Sequence, residues 1–312
     1  MKRKISLDKN IFLIHSFKFN FVFIIFFINI IFLININKSQ NSNISVEKCY
    51  VSPDDSNLKI IHFIITRFLI EFWPFRGFPI LIYRKEYILN GIRVMKKYLF
   101  PSLENQRCKN FIWILKIGNK ANITYIKSLL NLNNSFNSNV IYEKDIKSYI
   151  RNNSKGFDVL ITSRIDYDDR IYYDAVNDIR KAININKPMI LYGYNRGVQY
   201  FESDNKYYEF YKNYKNDGVM SIFTSLITVL NKTNDFYNIF ELGTHIRVRK
   251  KILENFRLFG IKELNYEPAI IDNGEAKFVW VRQNYSGLYH YSEKIKNHLK
   301  LYKFNLTKFY GK

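Results

Sequence analysis

The stretch that decides the fold is residues 158–169, which read DVLITSRIDYDD. Its first part, Asp158 to Thr162, is a short apolar run rich in β-branched residues, which is typical of a strand buried on both faces. The run leads directly into three carboxylates, Asp166, Asp168 and Asp169. We therefore expect a buried strand whose carboxyl end carries an acidic turn.

The chain before this strand alternates between short apolar runs and helical periodicity. Strands are predicted over Ile60 to Thr66, Phe111 to Ile117 and Val140 to Tyr142, and helices over Tyr83 to Leu99 (stopped by Pro101), Ala121 to Leu132 and Lys144 to Arg151. This alternation indicates parallel βαβ units, so we expect one α/β domain with a mostly parallel central sheet and helices on both faces. Ligands of such sheets bind beyond the carboxyl ends of the strands, which is where the acidic turn lies.

The acidic turn has the composition of a site for a divalent cation. In an extended chain Asp166 and Asp168 point to one face and Asp169 to the other. Two carboxylates about 4 Å apart repel by roughly 4 kcal/mol at an effective dielectric of 20, and a divalent cation reverses that cost. All-oxygen ligation fits Mg²⁺ or Mn²⁺ better than Zn²⁺ or Cu²⁺. The alternative is an acidic turn that caps a helix beginning near Tyr172, with Asp169 as the N-cap or as a residue of the first turn.

The amino terminus carries a second informative pattern. Residues 19–37 contain no charged residue, whereas Lys and Arg occur repeatedly in the 18 residues before them. A helix of this length roughly spans a hydrocarbon core, and basic residues on the short side predict that this side is cytosolic. We expect a cytosolic tail over 1–18, a single-pass transmembrane signal anchor over 19–37, a polar stalk over 38–57 and a non-cytosolic α/β domain over 58–312. A cleaved signal peptide and a buried core helix are the alternatives for the apolar segment.

Composition and missing motifs exclude several classes of protein. Lys and Arg number 48 against 27 Asp and Glu, but they are spread along the chain rather than clustered, so nucleic acid is not expected as a partner. Neither G-x-G-x-x-G nor G-x-x-x-x-G-K occurs, which disfavours dinucleotide and P-loop enzymes. The two cysteines, Cys49 and Cys108, are too few for a disulfide framework or a structural zinc cluster, and the sequence leaves their pairing open.

Several motifs, taken in their chain order, resemble the rhamnosyltransferase family. They are IITRF at 64–68, Arg84 ahead of LFPSLENQ at 99–106 with NFIW at 110–113, and TSRIDYDD at 162–169. That family is similar to glycosyltransferases of the GT-A fold, in which a D-x-D motif holds a divalent metal on a nucleotide-sugar diphosphate. The resemblance covers about residues 60–290 and implies a GT-A-like domain. Ser163 stands where a second Thr is usual, and the amino-terminal anchor is not part of the family pattern.

The resemblance also implies roles for individual residues. Thr66 and Arg67 would lie by the nucleotide, and Arg164 near the diphosphate or the sugar. Asp166 and Asp168 would lie at the sugar and the metal.

A late histidine in GT-A enzymes often completes the metal shell, and His245 is the candidate here, an ordinary hydrogen-bonded histidine being the alternative. If the reaction inverts the anomeric carbon, a carboxylate must take the acceptor proton. Asp217, Asp235 and Glu241 are the candidates, and Glu241 is preferred because it lies near His245 in the sequence.

The function that the resemblance implies is transfer of a sugar, with rhamnose as one candidate, from a nucleotide-sugar donor to a hydroxyl of a glycan, lipid or protein, with Mn²⁺ or Mg²⁺ as cofactor. Inversion and retention are both open. The alternative from another class is a membrane-tethered basic protein that binds anionic lipid or nucleic acid without catalysis. A metal-dependent nuclease or phosphatase is a third interpretation, but it normally needs more acidic ligands in separate segments.

Overall fold

The computed structural model is built around a mostly parallel sheet with helices on both faces. It describes residues 49–50, 57–70, 81–131, 136–194, 196–211, 223–232, 238–242, 269–270 and 278–282, all within a compact unit that spans residues 48–312. The strands are β1 (Ile60–Phe68), β2 (Ile112–Ile117), β3 (Asn137–Tyr142), β4 (Val159–Asp166), β5 (Arg170–Ile171), β6 (Met189–Gly193), β7 (Arg196–Phe201), β8 (Lys206–Tyr211), β9 (Thr224–Val229), β10 (Ala269–Ile270) and β11 (Phe278–Arg282). The α-helices are α1 (Lys85–Val94), α2 (Phe100–Glu104), α3 (Ile123–Leu130), α4 (Ile146–Asn153) and α5 (Ala175–Lys181).

Among the described residues, seven strands form the central sheet in the order β10-β6-β9-β4-β1-β2-β3. Strands β1 to β4 are mutually parallel, and β9 runs antiparallel between β4 and β6. The predicted mixed α/β fold with a mostly parallel sheet is therefore confirmed. A second sheet, with the order β5-β11-β7-β8, has no counterpart in the sequence prediction.

The two faces of the central sheet are covered by different helices. On one face, Ile64, Trp113 and Ile161 belong to a core that includes apolar residues of α1, α2, α3 and α5. On the other face, Phe63 and Ile114 pack with Ile146 and Ile150 of α4. Each fully buried aliphatic or aromatic side chain contributes about 1.5–3 kcal/mol, so apolar side chains on both faces of the strands stabilise the packing of both helix layers.

The helical segment that follows β1 is longer than its sequence pattern predicts. Helix α1 continues as a π-helical segment, Met95–Leu99, and then as α2. The predicted stop at Pro101 is wrong because Pro101 lies in the first turn of α2. A first-turn proline is tolerated there, since its missing N–H is needed least at a helix start.

The acidic turn after β4 is not a helix cap. The Asp169 N–H donates to the Asp166 carbonyl at 3.2 Å, and the chain then enters β5. Helix α5 begins only at Ala175, with Asp174 at its N-cap position. The alternative in which Asp169 caps a helix near Tyr172 is therefore wrong.

The segment before β1 is tied to the α/β domain. Cys49 forms a disulfide with Cys108, which answers the question that the sequence left open. The Tyr50 N–H donates to Asn177 Oδ1 at 2.9 Å. Cys49 and Tyr50 belong to the predicted stalk, so this part of the stalk is bound to the domain. The predicted tail and anchor lie outside the described residues, and the helices that are described include none long and apolar enough for a bilayer.

A buried polar row crosses the centre of the sheet. His62 Nε2 lies 2.6 Å from Ser163 Oγ, which lies 2.6 Å from Ser225 Oγ. Burial, followed by the positive charge of Arg180, lowers the pKa of His62 from 6.5 to about 3. His62 is 1% exposed, so this row is a structural contact and not a site that solutes reach.

We expect the free energy of unfolding to fall as the pH drops from about 6.5 towards 3. Because the folded-state pKa of His62 lies below its unfolded value, the unfolded chain takes up the proton first as the pH falls. The free energy of unfolding then falls with a slope that approaches about 1.4 kcal/mol per pH unit. Denaturant melts at several pH values should show a shallower acid dependence in His62→Gln than in the parent. Equal slopes in the two proteins would contradict the buried neutral histidine.

Candidate functional site

Three neighbouring parallel strands end at one edge of the sheet, and charged side chains meet there. Arg67 of β1 is in register with Lys116 of β2 on one side and with Asp166 of β4 on the other. Residues paired in register between parallel strands project to the same face. Lys116, Arg67 and Asp166 therefore form a row across the carboxyl ends of β2, β1 and β4.

Asp166 contacts two guanidinium groups. Arg67 Nη2 donates to Asp166 Oδ1 at 3.2 Å, and Arg164 Nη2 lies 3.6 Å from the same oxygen. Arg164 precedes Asp166 by two residues on β4 and so shares its face. The side chains of Arg67 and Asp166 are 24% and 26% exposed, so solutes can reach this part of the row.

Lys116 is held by a carboxylate from the segment after β3. Its Nζ donates to Glu143 Oε1 at 2.7 Å, and Glu143 begins a short 3₁₀ turn, Glu143–Asp145. Lys116 is 6% exposed and Arg164 is 3% exposed. Two of the cations are thus buried, which is costly unless oppositely charged or hydrogen-bonding groups meet them.

An aromatic ring contacts all three cations. Phe240 belongs to a 3₁₀ turn, Ile239–Leu242, whose Ile239 N–H donates to Thr162 Oγ1 at 2.9 Å. Its ring centroid lies 4.6 Å from Lys116 Nζ, 5.4 Å from Arg164 Cζ and 5.9 Å from Arg67 Cζ. We call Arg67, Lys116 and Arg164 the cation cluster. Contacts of this kind attract a cation to an aromatic ring by about 0.5–2 kcal/mol.

The charges of the cluster act on one another. The pKa of Arg164 is lowered to about 10, mainly by burial and also by the positive charge of Arg67, while the charge of Asp166 acts in the opposite direction. Burial also lowers the pKa of Lys116, the hydrogen bond to Glu143 raises it, and Arg67 and Arg164 lower it. Cations that repel one another in a partly dry environment are stabilised by an added anion. Such perturbed groups at a ligand-binding edge are typical of functional sites.

The structure brings Arg67, Arg164 and Asp166 together but places Thr66 elsewhere. Because side chains alternate along a strand, Thr66 faces the opposite side of the sheet from Arg67. Its hydroxyl accepts a hydrogen bond from Trp113 Nε1 at 2.9 Å, and Thr66 is fully buried. The Thr66 side chain is thus part of the core behind the cation cluster.

The other predicted site residues are placed only in part. Asp168 is half-buried on the turn after β4, and Asp169 is buried with its charge acting on Arg164. Glu241 follows Phe240 within the turn Ile239–Leu242. His245, Asp217 and Asp235 lie outside the described residues.

Two of the predicted metal ligands are carboxylates at the end of β4, and one of them, Asp166, contacts Arg67 and Arg164. Asp166 and Asp168 offer the hard oxygens that Mg²⁺ and Mn²⁺ prefer. In the part of the chain that is described, no three Asp, Glu, His or Cys side chains are grouped to hold a metal. Mg²⁺ is commonly bound by one or two carboxylates together with substrate phosphates and water, so a site built on Asp166 and Asp168 would need a substrate to complete it.

Sequence reasoning missed Lys116, Glu143 and Phe240. For Lys116 a signal existed, because a lysine inside the apolar run FIWILKI is unusual for a buried strand. Glu143 and Phe240 carry no local signal, since they reach the cluster through turns that follow other strands.

No protein-family model matches the chain, and no curated protein does so either. Among solved structures, S. aureus TarS (residues 1–349) is 13% identical with a TM-score of 0.40 over 71% of this chain and 60% of that one. HddC from Yersinia pseudotuberculosis is 17% identical with a TM-score of 0.37 over 75% and 99% of the two chains. The inositol-1-phosphate CTP transferase from T. maritima is 11% identical with a TM-score of 0.35 over 76% and 97%. These likenesses are too weak to assign an activity, and the rhamnosyltransferase resemblance stays a prediction.

Proposed function

We propose that this protein is a glycosyltransferase that moves a sugar from a nucleotide-diphosphate sugar to a hydroxyl acceptor. The observation that carries the proposal is the cation cluster with Asp166 at the carboxyl ends of β1, β2 and β4. Open α/β sheets bind ligands at this edge. A diphosphate is the part of a nucleotide sugar whose charge complements such a cluster.

Arg67 and Arg164 are proposed to bind the diphosphate oxygens. A guanidinium group is planar and presents paired N–H donors, which suits phosphate oxygens. Asp166 holds both guanidinium groups in the free protein at 3.2 and 3.6 Å, so they are already oriented when the donor arrives. Because Arg164 is buried, its charge acts more strongly on the diphosphate than an exposed arginine would.

During transfer, the bond between the anomeric carbon and the diphosphate oxygen breaks, and a bond from the acceptor oxygen to that carbon forms. The bonding electrons leave with the nucleoside diphosphate, and fixed cations stabilise the charge that develops there. The acceptor proton passes to a carboxylate, for which Glu241 is the proposed base. Its place beside Phe240 in one turn supports this choice, because Phe240 contacts the cation cluster.

Asp166 and Asp168 are proposed to hold Mn²⁺ or Mg²⁺, with His245 as a further ligand. When bound, the ion would add positive charge at the leaving diphosphate. The chain itself places the carboxylates of Asp166 and Asp168 at the end of β4 and on the turn that follows it. Rhamnose as the donor sugar and a glycan, lipid or protein hydroxyl as the acceptor are proposals that rest on the family resemblance alone.

The rival interpretation is a membrane-tethered basic binding protein. Surfaces that bind anionic lipid through charge alone are exposed clusters of Lys and Arg. In contrast, Lys116 and Arg164 are buried and held in ion pairs. The rival also needs the acidic turn to be a helix cap, and α5 begins only at Ala175.

A panel of nucleotide-diphosphate sugars tests the proposal. The protein is incubated with each donor in the presence of Mn²⁺, and release of nucleoside diphosphate is measured with and without mixed hydroxyl acceptors. Release from one donor or a few related donors would support a transferase. A binder without catalysis would retain nucleotide sugar and release nothing, which would overturn the proposal.

We expect donor turnover to depend on Mn²⁺ or Mg²⁺. Zn²⁺ and Cu²⁺ should not restore turnover after chelation. The physical reason is that the candidate ligands are hard carboxylates with at most one imidazole. Turnover is measured after chelation and after each ion is added back. Activity that is unchanged by the chelator would contradict the metal role of Asp166 and Asp168.

The domain is proposed to lie outside the cytosol, held to a membrane by residues 19–37. The disulfide between Cys49 and Cys108 supports this placement, because disulfides persist mainly in oxidising compartments. Fractionation of the full chain, with protease added to intact cells or vesicles, checks it. A full-length chain that is entirely soluble with its amino terminus intact would overturn the membrane proposal.

A further inference from the structure

Lys116 is the member of the cation cluster to which the proposed function assigns no role. It is the penultimate residue of β2, and its ammonium group lies on the same face as Arg67 and Asp166. A lysine that is 6% exposed loses much of its hydration, so its position needs contacts that offset this cost. In the free protein these contacts are the Glu143 carboxylate and the Phe240 ring.

Neither contact makes Lys116 a core residue. The Glu143 side chain is 41% exposed, so solvent screens its ion pair with Lys116 and a second anion can approach the pair from that side. The contact to Phe240 is shared with both arginines at 5.4 and 5.9 Å. Lys116 therefore belongs to the same charged group as the arginines, which the proposed function assigns to the diphosphate.

We propose that Lys116 binds a phosphate of the donor together with Arg67 and Arg164, and that Phe240 covers all three cations until the ligand binds. This inference rests on the proposed function for the identity of the donor. A phosphate oxygen would take the place that the Glu143 carboxylate now has at Lys116 Nζ. When the ligand binds, Phe240 of the turn Ile239–Leu242 would lose its contacts with those cations that the phosphate oxygens take up.

The proposal predicts opposite effects for the two members of one ion pair. Glu143 competes with a phosphate for the same ammonium group, so removing its charge should strengthen anion binding. Removing the Lys116 charge should weaken it. If Lys116 and Glu143 form only a structural pair, both changes should lower thermal stability alike and leave anion binding unchanged.

Calorimetric titration with inorganic pyrophosphate tests this prediction, because pyrophosphate has no base or sugar that could stack on an aromatic ring. We expect Lys116→Met to weaken pyrophosphate binding by about tenfold or more. Glu143→Gln keeps a hydrogen-bond acceptor beside Lys116 and should bind pyrophosphate roughly three- to tenfold more tightly. The matched control is Lys144→Met, because Lys144 is an exposed neighbour of Glu143, and we expect parental binding there.

Phe240→Ala tests the cover separately. If the ring covers the cations, its removal should tighten pyrophosphate binding by roughly three- to tenfold. Unchanged or weaker binding in this variant would overturn the covering role. Equal pyrophosphate affinities in Lys116→Met, Glu143→Gln and the parent, with folded protein confirmed by thermal melts, would overturn the binding role of Lys116.

The outcome can be separated from that of the proposed function. Pyrophosphate binding that depends on Lys116 in a protein that releases no nucleoside diphosphate would support the anion site and refute the transferase. Donor turnover whose KM and kcat are unaffected by Lys116→Met would support the transferase and refute the inference. A raised KM with an unchanged kcat would show that Lys116 contributes equally to ground-state and transition-state binding.

Discussion

Replacing Asp168 by Asn is expected to lower sugar transfer by about two to three orders of magnitude while the protein stays folded. The amide has the shape of the carboxylate but lacks its charge. The attraction to a metal and a diphosphate is lost, whereas the amide keeps the size and one acceptor oxygen of the carboxylate, so the protein should stay folded. Transfer kinetics and a thermal melt on the same preparation measure both effects.

The matched control for this variant is Asp158→Asn, at the opposite end of the strand that leads to Asp168. Asp158 Oδ2 accepts a hydrogen bond from the Lys59 N–H at 2.9 Å, and an amide oxygen can keep that bond. We expect parental transfer in Asp158→Asn. Near-normal transfer in a folded Asp168→Asn protein would refute the metal role of the acidic turn.

Removing the disulfide between Cys49 and Cys108 is expected to lower the free energy of unfolding by about 4 kcal/mol. The bond joins residues separated by 59 positions, and closing a loop of that length removes much conformational freedom from the unfolded chain. For a domain of this size, the expected fall in Tm is roughly 8–16 °C. Most of the effect arises in the unfolded state, so the active-site geometry should be retained.

Two comparisons measure this prediction. The double variant Cys49→Ser with Cys108→Ser should have a Tm well below that of the parent, and a reducing agent should not change that Tm. The Tm of the parent should fall to the value of the variant when the parent is reduced. A chain of residues 48–312 should likewise be more stable than one of residues 57–312, which lacks Cys49 and leaves Cys108 unpaired. A Tm within about 2 °C of the parent in the double variant would contradict the stabilising role.

Much of the central sheet could be predicted from local pattern. The apolar runs around Ile64, Ile114 and Leu160 have few polar side chains and many β-branched ones, which favours strands with both faces covered. Parallel strands joined by helices end at one edge, which places the acidic turn that begins at Asp166 at a ligand-binding position. The family resemblance implies that Arg67 and Arg164 lie there as well. The structure confirms the mostly parallel sheet, and it shows that these three side chains lie next to one another.

Other features depended on pairings between distant segments. The local sequence of β9 does not predict that this strand lies antiparallel between β4 and β6, because an apolar run does not specify the neighbours or the direction of a strand. The same holds for the second sheet, in which β11 pairs with β7 across a long stretch of chain. The local pattern predicts that the helix stops at Pro101, although the first turn of a new helix accommodates proline equally well.

The sequence by itself determined which residues can share a strand face, since side chains alternate with a period of two. Neighbouring residues such as Thr66 and Arg67 therefore lie on opposite faces, although the family resemblance implies that both lie by the nucleotide. The local pattern does not show which of the two faces the core covers. Only the tertiary structure decided that Thr66 packs against Trp113 while Arg67 meets Asp166. Tertiary structure alone also brought Glu143 and Phe240 to Lys116, because contacts between turns on separate strands depend on how the whole sheet is ordered and leave no trace in local periodicity.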